Sequence, residues 1–216
     1  MDGVIVDSEP RHEKAVREVL EEIGHGSNHG LRISDYIGRS DQEVWRDFIA
    51  RNRPRQNLDQ LMAMKRARTV EILRREQPFF PGVLAFIERL AAHCPLAVAS
   101  GSEREVVEAV LGLTNLRRFF SAVVTGSEVP RGKPAPDIFL QAARLLGVEP
   151  EDCWVIEDSK PGIAAARAAG MRVLALTHTH PAEELQGATF IAANYREVER
   201  RLLGTRSAEN TSSMDS

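Results

Sequence analysis

The sequence predicts an α/β protein: a doubly wound parallel-sheet core with an all-α segment inserted near its start. Three observations carry this expectation. From Pro81 onward helix-like and strand-like patterns alternate, which implies parallel strands joined by right-handed crossover helices. Between Pro10 and Glu76 apolar residues recur at helical spacing and β-like runs are few. A chain of 216 residues with 43% apolar content can bury one good core, or a core and a small second unit.

In the helical segment, Ala15, Val16, Val19, Leu20 and Ile23 mark one stripe, and Leu61, Met64, Ala67, Val70 and Leu73 another. Gln77-Pro78-Phe79-Phe80-Pro81-Gly82 then forms a stiff, hinge-like return. The core reads as helix 83–92, strand 96–100, helix 103–111, strand 122–126, helix 136–146, strand 153–157, helix 162–169 closed by Gly170, and strand 172–176. The expected division is 1–9 with 78–203 as core and 10–77 as a helical segment. The polar stretch 204–216 is expected to be a disordered tail.

Four strings on this frame carry chemistry. The first is Met1-Asp2-Gly3-Val4-Ile5-Val6-Asp7-Ser8-Glu9-Pro10, where an acid precedes a glycine that permits a turn closed to other residues. On its own, Asp2-Gly3 reads equally well as an ordinary turn. In the second, Pro95 to Ser102, an apolar strand ends in Ser100-Gly101-Ser102 and runs into a helix start, where backbone N–H groups and a hydroxyl can hold phosphate. A serine there can equally cap the helix.

The third string, Gly132-Lys133-Pro134-Ala135-Pro136-Asp137-Ile138-Phe139, fixes a lysine ahead of two prolines, placed to neutralise phosphate or carboxylate charge. In the fourth, Cys153-Trp154-Val155-Ile156-Glu157-Asp158-Ser159-Lys160-Pro161-Gly162-Ile163, an apolar strand ends in paired acids. Acids at a strand's carboxyl end lie where open α/β sheets bind ligands, and Mg²⁺ favours such oxygen donors.

In this order, and over roughly residues 1 to 200, the four strings resemble the haloacid dehalogenase (HAD) superfamily of phosphotransferases. The D-G-V-x-x-D-S-E-P, K-P-A-P-D-I-F and E-D-S forms are most similar to the subfamily of β-phosphoglucomutases, phosphoglycolate phosphatases and small sugar-phosphate phosphatases. The resemblance implies a HAD Rossmann-like core under a helical cap. It also implies a Mg²⁺-dependent phosphomonoester hydrolase that works through an aspartyl-phosphate on a small phosphorylated metabolite. Asp2 would be the acid and base, and Ser100 and Gly101 would hold the transferring phosphoryl group. Lys133 would neutralise charge, and Asp2, Glu157 and Asp158 would hold the metal. Monomer or weak dimer is the expected state. A sugar-phosphate mutase and a non-catalytic phosphate- or partner-binding remnant remain as alternatives.

A cap that closes over the crevice excludes water and chooses the substrate. Arg39, Lys65 and Arg66 are its candidate cations for an anionic substrate, with solvated helix-surface charge as the other reading. Where the resembling mutases carry Arg, this chain has Asp41, which favours phosphatase over mutase.

In the family the nucleophilic Asp stands two positions before the second Asp, so its place falls just ahead of Met1. The apolar residues before it form the central strand, buried on both faces. A chain beginning at Met1 is therefore expected to fold weakly and to lack turnover. Either an internal Met has been taken as the start or the protein is a remnant; the intact strings favour the first.

A net charge of −3 and a pI near 6.1 give no nucleic-acid footprint and no basic membrane face. No apolar stretch approaches the length of a membrane span, and a cytoplasmic protein is expected. Cys94 and Cys153 lack metal-site spacing and read as reduced core thiols. His178 and His180 invite a metal-pair reading, but a solvated loop is the expectation.

Overall fold

The computed structural model describes residues 1–27, 29–32 and 41–204. Three helices come first: α1 (Glu9–Glu22), α2 (Asp41–Asn52) and α3 (Leu58–Glu76). They share an apolar cluster of Val16, Val19 and Leu20 from α1, Val44, Trp45 and Phe48 from α2, and Leu61 from α3. Helix α3 starts in a capping box, in which Asn57 accepts from the Gln60 N–H and Gln60 returns the bond to the Asn57 N–H.

The α1 stripe lies where its spacing put it, but the α3 stripe is rotated. Its buried residues are Leu61, Lys65, Thr69, Ile72 and Leu73, whereas Ala67 is exposed. Two polar side chains stand on the inner face because each is satisfied there. Lys65 meets two partners across the helices, and the Thr69 hydroxyl donates to the Lys65 carbonyl.

The alternating part follows as α4 (Val83–Ala91), β1 (Leu96–Ser100), α5 (Arg104–Leu113), β2 (Phe120–Thr125), α6 (Asp137–Leu146), β3 (Trp154–Glu157), α7 (Lys160–Ala168), β4 (Arg172–Leu176), β5 (Phe190–Ala192) and α8 (Tyr195–Leu203). The fold is mixed α/β, and β1–β2, β3–β4 and β4–β5 all pair in parallel, as the alternation predicts. The sequence reading did not foresee β5 or α8. Three residues with no apolar alternation make a strand only because Leu174, Ala175 and Leu176 offer an edge. Helix α8, YREVERRLL, is polar apart from Tyr195, Val198 and the closing Leu202 and Leu203, which pack against the main core.

The pairing departs from one continuous sheet. Strand β1 pairs with β2, and β3 pairs with β4 and then β5, giving two parallel sheets with no ladder between β1 and β3 among the described residues. A cavity of about 1480 Å³ lies between them. Two connections join the helices to the core side by side: the Asp7 N–H donates to the Pro78 carbonyl and the Phe80 N–H to the Ile5 carbonyl. Val4, Ile5 and Val6 are buried in the main core, and the Tyr195 hydroxyl donates to the Val4 carbonyl while its ring stacks on Phe86.

Both cysteines are free thiols, but neither is a core residue. Cys94 is exposed in the turn before β1, and Cys153 is half-buried just before β3. The tail from Thr205 lies outside the described residues, and no helix among those described is long and apolar enough to cross a membrane.

Candidate active site

The first loop turns at Gly3, whose φ of 64° places it in the left-handed region. A Cβ there would fall 1.7 Å from Asp158 Oδ2, so glycine alone admits the acid against the loop. A second glycine does the same for the neighbouring acid. A Cβ on Gly162 would lie 2.0 Å from the Glu157 carboxyl carbon. Both carboxylates at the end of β3 thus occupy space that glycines leave open.

Asp2 is the centre of a hydroxyl cluster. Ser8 donates to its Oδ1 at 2.6 Å, and Ser100 and Ser102 donate to Oδ2 at 2.8 and 3.0 Å. His12 Nε2 stands 3.9 Å from Oδ1. Burial would raise the Asp2 pKa, but His12 foremost, then the Met1 ammonium and the Ser8 hydroxyl, outweigh it and hold the carboxyl well below its ordinary value. Ser8 occupies the N-cap of α1 without capping it, since its hydroxyl is committed to Asp2.

Lys133 reaches across the gap between the sheets. Its Nζ donates to Glu157 Oε1 at 2.5 Å and to the Ala99 carbonyl on β1 at 3.3 Å. The Lys133–Pro134 bond is cis. Glu157 Oε2 accepts from the Asp158 and Ser159 N–H groups and from the Ser159 hydroxyl. Burial opposes its charge, yet the ammonium of Lys133 wins and the Glu157 pKa is lowered. Asp158 differs: burial first, and the charge of Glu157 with it, raise its pKa against the Thr179 hydroxyl, the Met1 ammonium and His180.

The structure therefore brings together Asp2, Ser100, Lys133, Glu157 and Asp158, drawn from four places in the chain. Gly101 is exposed in the turn beyond Ser100. The candidate cations on the helices fare differently. Lys65, 3% exposed, donates to His12 Nδ1 at 2.7 Å and Asp41 Oδ2 at 2.6 Å, so its charge is already matched. Arg66 pairs with Glu103 at 3.1 Å and Glu105 at 3.7 Å, tying α3 to the start of α5. Arg39 lies outside the described residues.

Sequence reasoning missed Ser8, His12, Ser102 and Thr179. Ser8 and Ser102 stand inside strings already singled out, but the pattern did not show where their hydroxyls point. His12 and Thr179 carry no local signal. His178 is not a solvated loop residue: its ring packs on Phe80 and Tyr195, and burial lowers its pKa. Among the described residues no three His, Cys, Asp or Glu side chains form a metal-holding group. Mg²⁺ nevertheless needs only one or two carboxylates, with water and phosphate completing its sphere.

Because the Asp158 pKa is raised, its stabilising contribution is present below the ordinary carboxylate range and is lost as pH rises through the raised value. Asp158→Asn is thus expected to raise the thermal midpoint at pH 7.5 by roughly 2–4 °C, the shift that 1 kcal/mol gives in a chain of this size. The gain should vanish near about pH 3.5, where the native carboxyl is protonated. Thermal melts at both pH values check this.

Comparison with known proteins agrees with the geometry. Residues 1–170 match the haloacid dehalogenase-like hydrolases. The chain belongs to this family. The hydrolase is 39% identical over 177 residues to fructose-1-phosphate phosphatase YqaB of Escherichia coli (strain K12), covering 79% of this chain and 90% of that protein. It is 31% identical over 201 residues to hexitol phosphatase B of Escherichia coli O157:H7, covering 91% and 88%. Among solved structures, CbbY from Rhodobacter sphaeroides in complex with phosphate superposes with a TM-score of 0.74 at 27% identity, over 92% of this chain and 93% of that one. Sequence family and fold thus agree for this HAD-like hydrolase.

Proposed function

We propose that this hydrolase removes phosphate from a small phosphorylated sugar or related metabolite, with Asp2 moving the proton and α1–α3 closing as a cap. The observation that carries the reading is the Asp2 carboxylate, clasped by three hydroxyls and set beside the Lys133–Glu157 pair and Asp158. The curated phosphatases that it resembles support the substrate class.

Held ionised, Asp2 suits a base that takes a proton from attacking water. Donating a proton to the leaving oxygen requires that bound phosphate first raise its proton affinity, as a like charge does. Ser100 and Ser102 would turn from Asp2 toward phosphate oxygens, and Lys133 would neutralise them. Asp158 fits Mg²⁺ better than Glu157 does, and Asp2 would join it once Ser100 and Ser102 release its Oδ2. Both oxygens of Glu157 are engaged, whereas Asp158 is a carboxylate short of compensating charge. Bound there, Mg²⁺ would supply positive charge for the phosphate. Asp41 beside Lys65 supports hydrolase over mutase, since a second phosphate needs an unmatched cation.

The family's attacking Asp has its place just before Met1, so the test compares two forms with p-nitrophenyl phosphate and Mg²⁺. One is the 216-residue chain, and the other carries an apolar strand ending in Asp ahead of Met1. Turnover in the extended form is the expected result. Two folded but inactive forms would overturn the reading.

A further inference from the structure

The loop behind Asp2 is buried from Gly3 to Val6, and its turn closes on its own N–H groups. The Gly3 N–H donates to the Val6 carbonyl at 2.9 Å, and the Ile5 N–H donates to the Met1 carbonyl at 2.7 Å. The carbonyls of Gly3, Val4 and Ile5 find no donor inside the turn, and a buried carbonyl needs one from elsewhere. Each is met from a different element. The Phe80 N–H, in the return from α3, donates to Ile5 at 3.2 Å, and the Tyr195 hydroxyl at the start of α8 donates to Val4. The His178 ring, just beyond β4, bonds to the Gly3 backbone.

The three donors also hold one another. Phe86 stacks on Tyr195 with centroids 4.6 Å apart, Tyr195 meets His178 edge to face at 5.1 Å, and His178 lies against Phe80 at 4.4 Å. Rings packed in such a row restrict one another's placement. His178 Nδ1 is buried and has no partner among the described residues, so the N–H of the neutral ring stands on Nε2 and is the donor to Gly3. Burial favours that neutral ring, because a second N–H would be stranded at Nδ1.

The same segment touches both acids of the site. Gly3 follows Asp2 directly, and its left-handed turn sets where the Asp2 carboxylate stands. Thr179, the residue after His178, donates to Asp158 Oδ2. Two successive side chains beyond β4 thus hold the Asp2 loop and Asp158, while the Thr177 N–H, bonded to the Ala192 carbonyl at 3.1 Å, anchors the segment to β5.

We infer that His178 is a positioning residue: with Tyr195 and Phe80 it clamps the loop behind Asp2 by three successive carbonyls, and so fixes the Asp2 carboxylate relative to Asp158. The consequence for turnover rests on the proposed function, whereas the clamp does not.

His178→Phe keeps a ring against Phe80 and Tyr195 but has no N–H, and His178→Gln can return an amide N–H to the place of Nε2. Hydrogen exchange of the 216-residue chain, read in fragments covering residues 3–7, reports on the clamp without any substrate. In His178→Phe these amides are expected to exchange about tenfold faster, the effect of one net hydrogen bond, while fragments of β4 and α8 keep their native rates. His178→Gln should return the loop close to native. Unchanged exchange in His178→Phe, equal acceleration along the whole chain, or no rescue by His178→Gln would overturn the clamp. In the extended form with p-nitrophenyl phosphate, kcat of His178→Phe is expected to fall by about 10–100-fold, since a small misplacement of a reacting group is that costly. The KM should change little, because Ser100, Ser102 and Lys133 lie on other loops. A loosened loop with native kcat would overturn the positioning role. An extended form that is inactive with His178 intact counts against the proposed function alone, and exchange then decides whether His178 holds the loop.

Discussion

Lys133→Met is expected to destabilise the protein by about 3–5 kcal/mol, the cost of breaking a buried ion pair from one side. Glu157 is 5% exposed, and its partners other than Lys133 are N–H groups and one hydroxyl. With Lys133 present the Glu157 pKa is lowered, so its contribution exists above the ordinary carboxylate range and is lost as pH falls. Without Lys133, burial dominates and the shift reverses. The damage should therefore be greatest at neutral pH and shrink toward about pH 4. Urea denaturation across this range measures it. The double variant Lys133→Met with Glu157→Gln removes the stranded charge and should recover most of the loss, a non-additivity expected of touching residues. Equal destabilisation at every pH would mean that packing on Phe139, 4.9 Å from Nζ, carries the effect.

Asp2→Asn should act on turnover instead. An amide oxygen at the Oδ2 position can still accept from Ser100 and Ser102, and the amide N–H₂ at the Oδ1 position can donate to the Ser8 hydroxyl, so the fold should survive, but the group can no longer take a proton. In the extended, active form kcat is expected to fall by about 10²–10⁴, the usual worth of a positioned acid or base. The KM for p-nitrophenyl phosphate should change little. His12→Asn is a useful companion, because His12 lies 3.9 Å from Asp2 and holds its pKa down. Its loss should move the acidic limb of the pH–rate profile upward while leaving the plateau closer to native than Asp2→Asn does. An Asp2→Asn enzyme with full kcat would remove Asp2 from the chemistry.

The helix-and-strand alternation after Pro81 was legible in the sequence because each element there carries its own period. The boundaries of β1 and β4 coincide with the apolar runs at 96–100 and 172–176. Ser100, Lys133, Glu157 and Asp158 were legible for a related reason: each ends or opens a local string whose strand or proline fixes its position. The α3 stripe was not, since Lys65 and Thr69 count as polar in any periodicity and are buried only because His12, Asp41 and a carbonyl receive them. Nor was the short β5, which an edge of β4 creates.

The sequence by itself pointed to the α/β class, the helical segment and Asp2, Ser100, Lys133, Glu157 and Asp158 as candidates, because short-range pattern and glycine or proline geometry suffice for these. Only the tertiary structure decided what those groups touch. It gave Asp2 three hydroxyls, matched Lys65 with Asp41, engaged Glu157 fully while leaving Asp158 under-compensated, and parted the sheet between β1 and β3. Such outcomes depend on groups many residues apart competing for the same partners in a buried space, and no local pattern records that competition.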